Sequence, residues 1–515
     1  MKLQKLPIGI STLRTILEEN YLYADKTNIA QDIIENGQYY FLSRPRRFGK
    51  SLFLDTLRTI FDTDETDKEL FKGLSIYENG YKFEKHPIIR ISFGSGAGKT
   101  KEDFEQKIYE ILDFNQRALK IDCPKEFNSS NCFKRLIEEA YLKYDKKVVI
   151  LVDEYDKPIL DNIDDKEVAK LMREQLKNFY SVIKDSDEYI KLVFITGVSK
   201  FSKVSLFSGL NNLDDITIDK NYSTICGYTQ NDVETVFAKH LEGQDFDKIK
   251  LWYNGYKFLG EGVYNPFDIL LFISKGFEYR NYWFSTATPT FLLKIMEQNQ
   301  YFLPNLENVI KDEAMLNSFD VDYIELETLM WQTGYLTISD TIETPKGFRY
   351  RLTIPNQEVK ISIMGSIADY LSKIHNSVIV HDNIMYAFIE NDFNKLEMNI
   401  KALYSAIHYN LFTNNKMYQY EGYYVSVFYA YIKALGFDLV GEDCTNKGRI
   451  DLTIKLDTAI YIIEFKTDGT DALAQIKNKN YHQKYMGENL PVYIIGIEFD
   501  TIDRNISKVE YEKIK

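Results

Sequence analysis

The run Phe41-Leu-Ser-Arg-Pro-Arg-Arg-Phe-Gly-Lys-Ser51 decides the fold. An apolar segment, Gln38 to Leu42, precedes it, and an amphipathic stretch, Ser51 to Phe61, follows it. A strand, a turn and a helix opening on Gly-Lys-Ser are the layout of a nucleotide-phosphate loop. The backbone N–H groups of such a turn, and of the helix that follows, offer partial positive charge to an anion. In that layout Lys50 reaches the outer phosphates of ATP and the Ser51 hydroxyl sits on Mg²⁺. Arg46, Arg47, Phe48, Gly49 and Leu52 complete the candidate nucleotide-binding loop. The pattern G-x-x-x-x-G-K-[ST] wants a glycine where this chain has Arg44.

A phosphate loop needs an acidic partner, and Val149-Ile-Leu-Val-Asp153-Glu154 supplies one. An apolar strand ending in acids places Asp153 as a Mg²⁺ ligand. Glu154 is then the group that orients and deprotonates the attacking water. The next apolar strand ends at Thr196, whose hydroxyl either senses the γ-phosphate or simply ends the strand. A competing loop, Gly94-Ser-Gly-Ala-Gly-Lys99-Thr100, is richer in glycine but one residue short. Choosing Lys50 leaves one strand between loop and Asp153, the order of additional-strand ATPases. Choosing Lys99 leaves none, so Lys50 is preferred.

The chain has 515 residues, a length that predicts about three domains. A net charge of −13 argues against a uniformly basic nucleic-acid coat, though not against a local basic groove. Cys123, Cys132, Cys226 and Cys444 show no CxxC spacing, which fits a reducing compartment and no structural zinc. No apolar run approaches the roughly 20 residues of a membrane span, and Met1-Lys-Leu-Gln-Lys lacks a signal-peptide core. The expectation is a soluble cytoplasmic protein.

Residues 1–225 alternate strand candidates (38–43, 87–93, 147–153, 190–196) with helical periodicity (51–61, 102–118, 131–144, 166–184). That alternation predicts an α/β fold with a parallel sheet covered on both faces. Residues 226–385 read as helices plus a hairpin at Gly334–Ile338 and Tyr350–Pro355, a helical lid and a winged-helix-like unit. Residues 386–515 read as a separate small α/β domain, with strands at 437–442, 450–455, 459–466 and 491–498 and a helix at 470–486.

In that last part, Gly448-Arg-Ile-Asp451 opens one strand and Tyr461-Ile-Ile-Glu464-Phe-Lys466 ends the next. Period two puts Glu464 and Lys466 on one face, and a turn near Leu456 brings Asp451 alongside. Two carboxylates hold a hard cation such as Mg²⁺, and the lysine positions or activates a water for phosphodiester hydrolysis. Glu421 and Glu442 are further acids within reach. Gln475, Lys479 and His482, with Lys477 and Lys484, form either a phosphate-facing surface or an ordinary solvated helix face.

Leu6-Pro-Ile-Gly, Tyr23-Ala-Asp-Lys-Thr27, Ser43–Ser51, Val152-Asp-Glu-Tyr-Asp156, Thr196–Asn212 and Trp252-Tyr-Asn-Gly-Tyr256 together resemble the AAA-ATPase-like family of bacterial proteins. The segments around Asp451 and Glu464–Lys466 resemble its usual companion, a PD-(D/E)XK nuclease-type domain of restriction-endonuclease-like fold. The resemblance implies an ATP site of Lys50, Ser51, Asp153 and Glu154, despite Arg44. It also implies a nuclease triad of Asp451, Glu464 and Lys466, and a part for residues 23–27 in the nucleotide pocket. The partners it implies are ATP and nucleic acid, DNA ahead of RNA, with a homo-oligomer left open. Two rival readings remain: an ATP-dependent switch whose C-terminal domain grips without cutting, and an ATPase with a degenerate C-terminal scaffold.

Overall fold

Residues Val148–Asp153 are buried at every position but the last, as an inner strand of a two-sided sheet must be. The computed structural model describes residues 3–96, 98–124, 127–200, 212–284, 290–299, 301–316, 324–372, 377–405, 407, 421–467 and 469–515. The strands are β1 (Tyr39–Ser43), β2 (Ile88–Ser92), β3 (Val148–Asp153), β4 (Ile190–Gly197) and the short β5 (Asp214–Asp215). They form one parallel sheet in the order β2-β3-β4-β1-β5. One strand, β2, separates the Ser43–Ser51 loop from β3 in sequence, and β4 lies between β1 and β3 in space. Parallel register brings the carboxyl ends of β1, β3 and β4 together, since Leu42 pairs with Thr196 and Val152 with Ile195.

The residues fall into two compact units. The first comprises Met1–Trp283 and Ile310–Asn356, and the second Phe284–Val309 and Gln357–Lys515. In the first unit the helices Lys50–Phe61, Lys101–Leu119, Ser129–Tyr144 and Lys166–Lys184 match the periodicity read from the sequence to within two residues. A second core joins Leu22 to Val233, Phe237, Ile249, Tyr253 and Ile269. The hairpin β7 (Thr337–Thr344) and β8 (Gly347–Thr353) takes β6 (Ile310–Asp312) as its third strand. β7 starts three residues later than expected, because Gly334, at φ +93°, is spent capping the helix Leu326–Thr333.

The second unit carries a sheet ordered β13-β12-β11-β10-β9. Its strands are β9 (Asp438–Thr445), β10 (Gly448–Lys455), β11 (Ile460–Lys466), β12 (Val492–Asp500) and β13 (Asn505–Lys513). All neighbours are antiparallel except β11 and β12. The helix Glu421–Ala434 is buried on every side from Tyr423 to Lys433. Its Phe428 lies 5.4 Å from Phe465, and its Tyr424 stacks 4.2 Å from Phe499. The helix expected over 470–486 breaks at Asn480, whose φ is +53°, so a helix Ala472–Lys479 is followed by a 3₁₀ turn at Tyr481–Tyr485. One expectation about cysteine is corrected: Cys123 and Cys132 form a disulfide, while Cys226 and Cys444 are free. Among the described residues no helix is long and apolar enough to cross a membrane.

Candidate nucleotide and metal sites

The Ser43–Ser51 loop leaves β1 and enters its helix through two residues of left-handed backbone, Arg47 (φ +66°) and Gly49 (φ +94°). Lys50 is buried and donates to the carbonyls of Arg44 (2.8 Å) and Pro45 (2.9 Å). Burial lowers the pKa of its ammonium, against the pull of Asp153. Ser51 Oγ donates to Asp153 Oδ2 at 2.6 Å, and Thr196 Oγ1 donates to Asp153 Oδ1 at 2.7 Å. Helix, β3 and β4 thus meet at one carboxylate. The set Ser51 and Asp153 is all oxygen, the donor chemistry of a hard cation. Glu154 holds a left-handed backbone (φ +53°), and burial, then the neighbouring Asp153, raises its pKa.

Arg44, the departure from the glycine pattern, is a structural residue. Its guanidinium is 1 % exposed and donates to the carbonyls of Ser43 (2.9 Å), Thr217 (2.7 Å) and Tyr222 (3.1 Å). It stacks 3.7 Å over Phe258, and burial lowers its pKa to about 10. Phe48 points inward onto Tyr256 (ring centroids 4.7 Å) and Phe258. The Trp252–Tyr256 motif therefore builds the wall behind the loop. Its Gly255 admits no side chain, since a Cβ there would lie 2.0 Å from the carbonyl oxygen of Pro355. Arg46 and Arg47 are exposed: the Arg46 carbonyl accepts from Trp283 Nε1 (3.1 Å), and the Arg47 guanidinium lies 4.9 Å over Phe267.

Beside the loop a pocket of about 60 Å³ opens to solvent. Gly49, Leu52 and Phe48 meet Tyr23, Lys26 and Tyr228 in its walls. Its exposed lining is mostly apolar. Lys26 there is ion-paired with Asp232 at 2.8 Å. Tyr228, Cys226 and Pro266 also line it and were not singled out from the sequence, because only the chain's return past the loop brings them there.

In the competing Gly94–Thr100 loop the amides of Lys99 and Thr100 are occupied. Thr100 caps the helix Lys101–Leu119, and Asp103 accepts from the backbone N–H of Lys99 and of Thr100, both at 3.2 Å. Residues 201–211, within the Thr196–Asn212 motif, lie outside the described residues.

In the second unit, Asp451 sits where the β10–β11 ladder ends, and its Oδ2 accepts from the Phe465 backbone N–H at 2.8 Å. Glu464 is 1 % exposed. Its Oε1 accepts from Lys466 Nζ (3.3 Å) and from Gln475 Nε2, while its buried Oε2 has no partner. Lys466 also donates to the Phe465 carbonyl (2.6 Å) and to Glu421 Oε1 (3.5 Å). Burial, then the charge of Asp451, pushes Glu464 up to about 8, and burial pushes Asp451 up to about 6. Burial works against the Lys466 ammonium, yet Glu464, Asp451 and Glu421 outweigh it and raise its pKa. An orphaned carboxylate oxygen beside a second carboxylate fits a divalent cation.

Glu442 turns to the exposed Arg449 (2.9 Å). Gln475 reaches the site as a partner of Glu464, with Tyr481 beside both. His482 lies past the break at Asn480, off the helical face that periodicity assigned to it. Lys477 pairs with Glu512 and Lys484 with Asp443, so the lysine surface is partly neutralised. Tyr481 was missed because its place follows from the left-handed Asn480, which the lysine-rich sequence does not announce.

A family model described as "Predicted AAA-ATPase" matches residues 7–207, and one for the PD-(D/E)XK nuclease superfamily matches residues 419–509. The chain is 46 % identical over 512 residues to an uncharacterized protein encoded in the vnfD 5' region of Azotobacter chroococcum mcd 1, covering 98 % of each chain. The chain therefore belongs to the family of predicted AAA-ATPases that carry a C-terminal PD-(D/E)XK nuclease superfamily domain.

Proposed function

We propose that this protein binds and hydrolyses ATP in its first unit and cleaves phosphodiester bonds, in DNA before RNA, with its second. The observation that carries the reading is the orphaned, buried Oε2 of Glu464 between Asp451 and Lys466. A buried carboxyl oxygen without a donor is a place where a cation would be favoured. When bound there, Mg²⁺ supplies charge neutralisation of the phosphate and a more acidic water. Asp451 and Glu464 would hold it, with Glu421 as a further acid. Lys466, already donating to both Glu421 and Glu464, orients the attacking water and offsets charge on the scissile phosphate.

At the first site the phosphates of ATP displace Lys50 from the carbonyls of Arg44 and Pro45. The N–H groups at the start of the helix hold them. Ser51 and Asp153 would hold Mg²⁺, which supplies neutralisation of the outer phosphates. Glu154, its basicity lifted by burial, accepts the proton of the attacking water. We place this activity in the cytoplasm, where ATP is available, and assign a defence role against foreign DNA by analogy only. The division into an ATPase part (1–225), a lid part (226–385) and a nuclease part (386–515) is the functional layout of this reading.

Incubating the purified chain with plasmid, single-stranded DNA and RNA, with Mg²⁺ or Mn²⁺ and with or without ATP, tests it. Cleavage that disappears in Asp451→Ala supports the reading. ATP turnover without cleavage of any substrate replaces it with the switch reading.

A further inference from the structure

Asp156 lies two residues beyond Glu154, and neither the metal nor the water has a use for it. It is 1 % exposed, and a buried carboxylate costs several kcal/mol unless donors surround it. Its Oδ2 accepts from the backbone N–H of Val198 (3.0 Å), the backbone N–H of Ser199 (2.6 Å) and Ser199 Oγ (2.6 Å). Tyr155 adds a bond from its hydroxyl to the Ser199 carbonyl (3.1 Å) and one from its N–H to the Thr196 carbonyl (3.0 Å). Gly197 is squeezed between them, since a Cβ there would lie 2.4 Å from the Tyr155 ring and 2.8 Å from Asp156 Oδ1. The turn after β3 is therefore fastened to the end of β4, whose Thr196 bonds Asp153.

The fastening continues. The backbone N–H of Lys200 donates to Gln332 Oε1 (3.0 Å), and Gln332 Nε2 donates to the Leu316 carbonyl (3.1 Å). Lys200 and Gln332 are both buried. Gln332 belongs to the helix Leu326–Thr333, whose cap Gly334 lies against Pro45 of the phosphate loop, where a Cβ would come within 2.7 Å. That helix touches the nucleotide site from two directions. It sits in Ile310–Asn356, the one stretch of the first unit whose two ends continue into the second.

We infer that Asp156 is a positioning residue of the nucleotide site, setting Thr196 on Asp153 through Val198 and Ser199. We infer also that Gln332 reads the same loop and passes the nucleotide state to the helix Leu326–Thr333. This rests on the ATPase reading above and assigns its regulation.

The test uses the full chain with Mg²⁺, ATP and a fluorescent ATP analogue, and follows tryptophan emission, because Trp331 lies in that helix and Trp283 lies beside its cap Gly334. Asp156→Asn should lower kcat roughly tenfold or more while nucleotide affinity stays within about threefold, as expected for a residue that orients ligands rather than binding them. Ser199→Ala, which keeps both backbone donors, should do the same to a smaller extent and carries the test if Asp156→Asn does not fold. Gln332→Leu should keep ATP turnover and lose the ATP-induced change in tryptophan emission. A wild-type chain that binds no analogue overturns the ATPase reading and this inference together. If the wild type turns over ATP, the inference alone is overturned by any of three results: unchanged kcat in both Asp156→Asn and Ser199→Ala, parallel losses of kcat and affinity, or an intact emission change in Gln332→Leu.

Discussion

The two candidate sites handle their charges in opposite ways. In the first unit every ligand-holding group already has a partner from the chain itself: Lys50 rests on two carbonyls, and both oxygens of Asp153 accept hydroxyl bonds. In the second unit Glu464 keeps one oxygen without any donor, and burial plus the charge of Asp451 forces its pKa up. A site satisfied by its own backbone must exchange one set of bonds for another when ligand arrives, so occupancy changes its shape. A site left unsatisfied gains stability directly from its cation, with little reason to move. Under the proposed function, the first site is the one that switches and the second carries chemistry on a fixed frame.

The largest effect expected is on cleavage. Asp451→Ala should reduce it roughly a thousandfold, the scale of removing an essential catalytic group. Plasmid nicking over time reads the loss, and residual cleavage near wild type would break the comparison by removing the chemistry from the second unit. Next, Lys50→Ala should reduce ATP turnover roughly a hundredfold, the scale of losing one fixed charge donor at a transferring group. A phosphate-release assay checks it.

Arg44→Gly would restore the consensus glycine, yet it removes three bonds to carbonyls and the contact with Phe258. It should therefore cost about 3 kcal/mol of stability rather than improve turnover. Denaturant unfolding of the variant decides that. An increase in both stability and turnover would show that Arg44 is a defect and not a support.

The smallest effect concerns pH. Glu464 carries a folded-state pKa of about 8, above its ordinary 4.5. Its stabilising contribution is thus complete below about pH 4.5 and is lost as pH rises through 8. Metal-free protein should lose stability over that window, and Mg²⁺ should restore it by holding the ionised pair. Glu464→Gln should raise the metal-free melting temperature at pH 8.5 by roughly 2–4 °C, the shift that about 1 kcal/mol gives in a domain of this size. Thermal scans with Mg²⁺ or chelator measure it, and no difference between the two proteins would mean that Glu464 is not held against its charge.

The sequence was readable where burial is uniform. β1, β3 and β4 are continuous apolar runs, as strands covered on both faces must be, and each was located to within about a residue or two. β13 was not read, because Asn505–Lys513 is an edge strand with few buried positions and no apolar run. The geometry around Asp451, Glu464 and Lys466 follows from period two and one tight turn, both visible in the sequence. The placing of Gln475 and Tyr481 depends on a helix that stops at Asn480. The support that Arg44 gives the phosphate loop depends on Thr217, Tyr222 and Phe258, all distant in sequence. Cys123 and Cys132 carry no spacing signature, so their bond appears only in the fold.

Coupling between the two sites is read most directly from the rate of DNA cleavage with ATP, ADP, a non-hydrolysable ATP analogue or no nucleotide, in wild type, Lys50→Ala and Asp451→Ala. The expected result is a wild-type rate that differs with nucleotide state, a Lys50→Ala rate that does not, and loss of all cleavage in Asp451→Ala. A wild-type rate identical in all four conditions would contradict it, leaving two sites on one chain with no exchange between them.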